Sequence, residues 1–226
     1  MSQPSPSSLR SALPWVLLHA GLLGLGGVAL ALPAPAQGWG VLVVVVAYAA
    51  ALPATCRWAG RPDLVPLAVL CALVSLFQVL PDWALVEVAG TLRFPDTGGP
   101  RVGDAVPVAM ALMWTAPLFV AVALAGGRPG RAAAVAAMVF LGAEVAAPWV
   151  GLWEPVGDTV RVAGVAVYVL PAEAALGWAV ALAAGLVREA SWPRRVGAAL
   201  AVSTFYTGAL VLCHLALDVA DRTLTV

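Results

Sequence analysis

The chain reads as a succession of long apolar stretches separated by short polar breaks rich in Pro and Gly. Seven such stretches can be drawn, at about Leu13–Leu32, Trp39–Thr55, Leu64–Leu80, Ala105–Gly126, Ala132–Val150, Gly164–Val187 and Val196–Leu217. Each is close to the ~20 residues that a helix needs to cross a hydrocarbon core about 30 Å thick. The expected fold is all-α, a polytopic transmembrane helical bundle of about seven spans forming one integral membrane domain over residues 1–226. Ala34-Pro35-Ala36 resembles a signal-peptide cleavage site. The apolar run before it is about 19 residues, longer than the 7 to 15 of a signal core, so it is read as a span. No internal repeat stands out, and seven spans do not divide into equal halves.

Composition sharpens this picture. Hydrophobic residues make up 62% of the chain and charged ones 11%, with a mean hydropathy of +0.95, whereas about a quarter of the residues of a soluble domain are charged. Too little chain lies outside the spans for a soluble catalytic or nucleotide-binding domain, so the lipid bilayer is the first partner. All twelve basic residues are Arg; without Lys, a retinal Schiff base, a phosphate-loop lysine and a lysine nucleophile are excluded. The net charge is zero and the Arg are scattered, which leaves no basic stripe for nucleic acid. Cys56, Cys71 and Cys213 show no CxxC spacing and are expected to be buried small hydrophobes.

The Arg also set an orientation, because short Arg-rich loops stay cytoplasmic. Arg10, Arg57, Arg61, Arg128, Arg131, Arg188, Arg194 and Arg195 fall on one side, and Arg93, Arg101, Arg161 and Arg222 on the other. The expectation is a multi-pass protein of the cell inner (plasma) membrane, its N-terminus cytoplasmic and its C-terminus outside. Asp82, Glu87, Asp96, Asp104, Glu154, Asp158, Asp218 and Asp221 lie in or beside the outer loops, as a solvated rim or a polar vestibule. One outer loop is long, residues 81–104. Its second half is turn chemistry, and loops of this kind tend to be functional.

Two acids stand inside spans, where a carboxylate costs at least about 2.5 kcal/mol and needs a partner, a wet cavity or a proton. Glu144 and Glu173 lie on consecutive antiparallel spans at nearly one depth, roughly 10–13 Å from the outer end at 1.5 Å per residue. They are the candidate catalytic pair. A carboxyl in apolar surroundings stays protonated and can act as a general acid while a second one takes a proton away. Trp114, Trp149, Tyr168, Trp178, Gln78 and His214 are the candidate substrate-binding residues, since aromatic faces stabilise a cation. Trp15, Trp39, Trp58, Trp83, Trp153 and Trp192 fall at span ends, as an interfacial belt. Equally open is a structural role, with both Glu hydrogen-bonded between helices. No HxxxH, HExxH or aspartate-rich motif is present, and neither a metal nor a cofactor is expected.

The segment Phe94–Trp114, with Pro95, Gly98, Pro100, Gly103, Pro107 and Met113-Trp114, followed by the isolated Glu144 and Glu173, resembles small seven-helix membrane proteins of isoprenoid metabolism. These are the carotenoid hydratase and lycopene cyclase type and the membrane-bound terpene cyclases. The resemblance implies a lyase or isomerase performing metal-independent cyclisation or hydration of a lipophilic substrate, with Glu144 and Glu173 as its acids. The paired Glu-Glu of the heterodimeric lycopene cyclases is here Pro171-Ala172-Glu173. Two other readings stay open: a transporter or binding protein for a small lipophilic molecule, which at this size is expected to be a homo-oligomer or the membrane subunit of a larger system, and an assembly factor of a membrane complex, for which small-residue stretches allow close helix approach.

Overall fold

The computed structural model describes residues 6–219, with side chains from Ala12 onward; Asp221 and Arg222 lie outside the described residues. The chain is a mostly helical bundle. Six helical segments are long and apolar enough to cross a membrane: Ala12–Leu30, Ala36–Trp58, Pro62–Ala89, Pro129–Ala146, Val169–Val187 and Trp192–Val219. Met110–Leu124, expected within the fourth span, is apolar but shorter.

In chain order the elements are α1 (Pro6–Leu30), α2 (Ala36–Trp58), α3 (Val65–Phe77), α4 (Val79–Ala84), β1 (Leu92–Arg93), β2 (Arg101–Val102), β3 (Val106–Pro107), α5 (Met110–Met113), α6 (Thr115–Leu124), α7 (Pro129–Ala146), β4 (Glu154–Pro155), β5 (Arg161–Val162), β6 (Val165–Ala166), α8 (Val169–Val187) and α9 (Trp192–His214). A π-helical turn, Leu85–Ala89, prolongs α4, so the loop expected from residue 81 begins at Gly90. The breaks between α3 and α4 and between α5 and α6 have one cause. Pro81 and Pro117 lack the N–H that would close a helical bond to Phe77 and Met113. Ser203 Oγ on α9 donates to the freed Phe77 carbonyl at 3.0 Å, and the apolar run therefore continues as helix past the proline.

The structure corrects the expectation that no repeat exists. Two units follow one another, Arg61–Leu124 and Arg128–Val187. Each begins with Arg-Pro after a left-handed Gly (Gly60; Gly127), and each ends its first helix at another (Gly90; Gly151). Leu92-Arg93-Phe94-Pro95 then matches Leu152-Trp153-Glu154-Pro155, and a two-residue-per-strand hairpin follows, β2–β3 in one and β5–β6 in the other. Val108 N donates to Pro100 O at 2.9 Å across the first hairpin, and Val167 N to Val160 O at 3.0 Å across the second. β1 and β4 pair antiparallel, Leu92 with Pro155 and Arg93 with Glu154. Leu92 thus faces the counterpart of Pro95, and Arg93 the counterpart of Phe94, as a pseudo-two-fold axis through this ladder requires. Both units start from the same face of the bundle, so the repeats are parallel.

α7 and α8 pack most closely. A Cβ at Gly177 would collide with the Ala136 methyl and lie 2.8 Å from the Ala132 carbonyl, so the small residues set the helix separation. With Ala136 against Gly177 in antiparallel helices, Phe140 falls level with Glu173 and Glu144 about one turn, roughly 6 Å, beyond it. α9 packs on α8 and α3, and α2 on α3. The α1–α2 hairpin flanks this core, held at its turn by Gly38 N to Thr97 O at 2.9 Å and Gln37 Nε2 to Val150 O at 3.1 Å. Cys56 and Cys71 are buried and all three cysteines are free.

Candidate active site

The two pseudo-two-fold units bring their acids to one place. Asp82, Glu144 and Glu173 line a single cavity of about 30 Å³, together with Trp114, Trp153, Tyr168 and Tyr206, beneath the β1–β4 ladder. The repeat explains the convergence. Asp82 lies eight residues before Gly90 and Glu144 seven before Gly151, the difference being the extra residue of the π turn; Trp114 lies eight after Val106 and Glu173 eight after Val165. The site is therefore two equivalent pairs of positions, filled by Asp82 with Trp114 and by Glu144 with Glu173.

None of the three carboxyls has an Arg or His nitrogen within 4 Å among the described residues, nor do three His, Cys, Asp or Glu there gather closely enough to hold a metal ion. Trp153 Nε1 donates to Glu144 Oε1 at 3.1 Å and fixes that carboxyl. Asp82 Oδ2, Glu173 Oε2 and Trp114 Nε1 are buried and make no hydrogen bond of good geometry, although the Trp114 indole lies beside the Asp82 carboxyl. Trp114 stacks on Trp153 with centroids 6.3 Å apart and tilts against Phe140 at 5.0 Å. The Tyr168 and Thr91 hydroxyls share a hydrogen bond of 2.8 Å.

Trp114 and Trp153 form a wall. On their far side, sharing those two residues and Met110, lies an apolar pocket of about 350 Å³ between α2, α7 and the α5–α6 joint, with Leu22 and Leu30 of α1 at its edge. That volume is in the range of small-molecule sites.

Of the residues singled out in the sequence, Glu144, Glu173, Trp114 and Tyr168 are in the cavity wall. Gln78 is fully buried one turn from Asp82 and outside the wall. His214 packs edge-on against Tyr168 at 5.1 Å and pairs through Nδ1 with Asp218 Oδ2 at 2.7 Å, whose other oxygen accepts from Val160 N. Two expectations are corrected. Trp149 is 88% exposed, because α7 ends before Pro148 and the turn swings Trp153 inward instead. Trp178 is 41% exposed and tilts against Phe205 of α9, on the opposite side of α8 from Glu173. The solvated-rim reading fails for Asp82 and Asp218, which are buried. Asp82, Trp153 and Tyr206 were not singled out as site residues. For Asp82 the usable signal was the resumption of apolar residues at Trp83-Ala84-Leu85-Val86.

The model of one protein family matches residues 79–217, well over half the chain. The chain belongs to this family, described as Domain of unknown function (DUF6989). No curated protein and no solved structure matches. The family region contains all three cavity acids and both Trp of the wall; α1, α2 and α3 precede it.

Proposed function

We propose that this chain is a membrane-embedded enzyme that performs acid–base chemistry, cyclisation or hydration, on an isoprenoid-like lipophilic substrate. The observation carrying this reading is the placement of three carboxyls without a cationic partner behind a tryptophan wall shared with an apolar pocket of ligand size. The apolar pocket holds the body of the substrate, and a shift of Trp114 or Trp153 brings its reacting carbon to the acids. One carboxyl gives a proton to an alkene or epoxide, the indole faces stabilise the cation that forms, and a carboxylate takes a proton back. Glu144 and Glu173 carry the exchange, with Asp82 as third member. Met110–Leu124 completes seven spans in a plasma membrane, the face bearing the two hairpins outside, in keeping with eight Arg on one side and four on the other.

Purified protein in nanodiscs, incubated with a panel of prenyl alcohols, linear polyenes and their epoxides, tests this. The expected product either gains one water in mass or keeps its mass and changes retention time, and Glu144→Gln and Glu173→Gln abolish it. Conversion equal in wild type and variants, or none across the panel, overturns the reading. The parallel repeat with a polar site on its axis favours a second reading, a carrier or binding protein for a small lipophilic molecule; there the same panel yields a bound, chemically unchanged compound.

A further inference from the structure

Seven buried side-chain atoms among the described residues lack a hydrogen-bond partner, and they belong to Ser75, Gln78, Asp82, Trp114, Thr115 and Glu173. All six residues are less than a tenth exposed, and they are not scattered. Ser75, Gln78 and Asp82 succeed one another at spacings of three and four, on one face of the Pro62–Ala89 segment, spanning about 10 Å of its axis. Trp114 and Thr115 sit at the break between α5 and α6, and Glu173 occupies the position equivalent to Trp114. In a hydrocarbon surrounding each unsatisfied polar group costs several kcal/mol, so a localised set of seven requires a polar guest.

Size and chemistry identify the guest. Three of these atoms, Asp82 Oδ2, Trp114 Nε1 and Glu173 Oε2, belong to the wall of the 30 Å³ cavity. A water needs roughly 10–15 Å³ and two to four polar partners, so the cavity takes one or two waters and nothing larger. We propose that it is a built internal water site bridging Asp82, Trp114 and Glu173, and that hydration continues from it past Gln78 and Thr115 toward Ser75.

The use of this water rests on the acid–base reading. When Glu173 has given its proton to substrate, the water donates a proton to the Glu173 carboxylate and accepts one from the Asp82 carboxyl, and the Asp82 carboxylate takes up the proton that the product cation releases. The water is unchanged, one proton has crossed the pseudo-two-fold axis, and the acid is restored without opening the site.

Radiolytic hydroxyl-radical footprinting of the intact protein in nanodiscs detects such waters, because radicals formed from them oxidise adjacent buried side chains. Trp114 and Tyr206 are expected to be modified at rates approaching that of exposed Trp149, while fully buried Leu70 and Leu118, corrected for intrinsic reactivity, stay unmodified. Labelling of Trp114 at the level of Leu70 in the wild type overturns the site. Gln78→Leu is expected to lower Trp114 labelling; unchanged labelling in that variant overturns the extension toward Ser75, and the wild-type result stands alone if the variant does not fold. A hydrated cavity in a protein without turnover removes the proton-carrying role and leaves the water site; turnover over a dry cavity removes both the water site and its proton-carrying role and leaves the acid–base reading.

Discussion

Eight residues beyond the start of the returning hairpin strand, the first unit carries Trp114 and the second Glu173; twelve beyond it, the first carries Leu118 and the second Gly177. The backbone around these positions is the same: helix, left-handed Gly, short strand, hairpin, helix. The first unit uses its positions for bulk, with a fully buried Leu118 and an indole closing the wall. The second has a carboxyl at one position and, for close approach, no side chain at the other. A duplicated scaffold thus supplies equivalent places around an axis, and the divergence of side chains makes one half the acid-rich half.

The sharpest way to break this comparison is to exchange what differs. Glu173→Gln is expected to lower turnover by about 10²- to 10⁴-fold, the usual worth of a positioned acid or base. Trp114→Phe, which keeps an aromatic face, is expected to cost less than about tenfold. Equal losses, measured as product formed in nanodiscs, would mean that the two halves share the chemistry evenly.

Much of the bundle could be seen in the sequence because membrane helices are written in it directly, as apolar length. Glu144 and Glu173 were visible for the same reason, as charges inside apolar runs, though helical rise put them at nearly one depth and the packing of α7 on α8 sets them about one turn apart. Asp82 was hidden by Pro81, which reads as a helix end. Only the Ser203 hydroxyl, 126 residues away, keeps the freed carbonyl satisfied and the helix running. The repeat was hidden because its signature is in left-handed glycines and strand pairing, while the helical side chains between have diverged. The sequence reading prefers Trp149 to Trp153, but which one turns inward depends on where α7 stops relative to Pro148.

Packing gives the next test. Gly177→Leu installs in the second unit the residue found at the matching place in the first. Here α7 is too near, and the side chain would meet both the Ala136 methyl and the Ala132 carbonyl. Overpacking against backbone that cannot yield is expected to cost about 3 kcal/mol, read as a lowered thermal midpoint in detergent. The reciprocal Leu118→Gly would instead leave a cavity in the first unit, and a neutral Gly177→Leu would show that the two helix pairs are equally spaced after all.

Trp153→Phe separates the acids by a smaller step. It keeps the ring against Trp114 and removes the N–H that holds Glu144 Oε1, leaving a buried oxygen unpaired at a cost of about 2 kcal/mol. The loss should appear in stability and in Glu144-dependent turnover together, since one bond serves both.

The smallest effect is expected where the units touch in solvent. Arg93 Nε donates to Glu154 Oε1 at 2.8 Å across the β1–β4 ladder, yet the Arg93 side chain is 66% exposed and that of Glu154 34%. Exposed pairs are worth at most about 1 kcal/mol and fade with salt. Glu154→Gln should therefore move the thermal midpoint little, and less at high ionic strength. A large, salt-insensitive loss would instead mean that the axis is held by this ion pair more than by the backbone ladder, and that the two halves are joined from above the cavity and not by the helices beneath it.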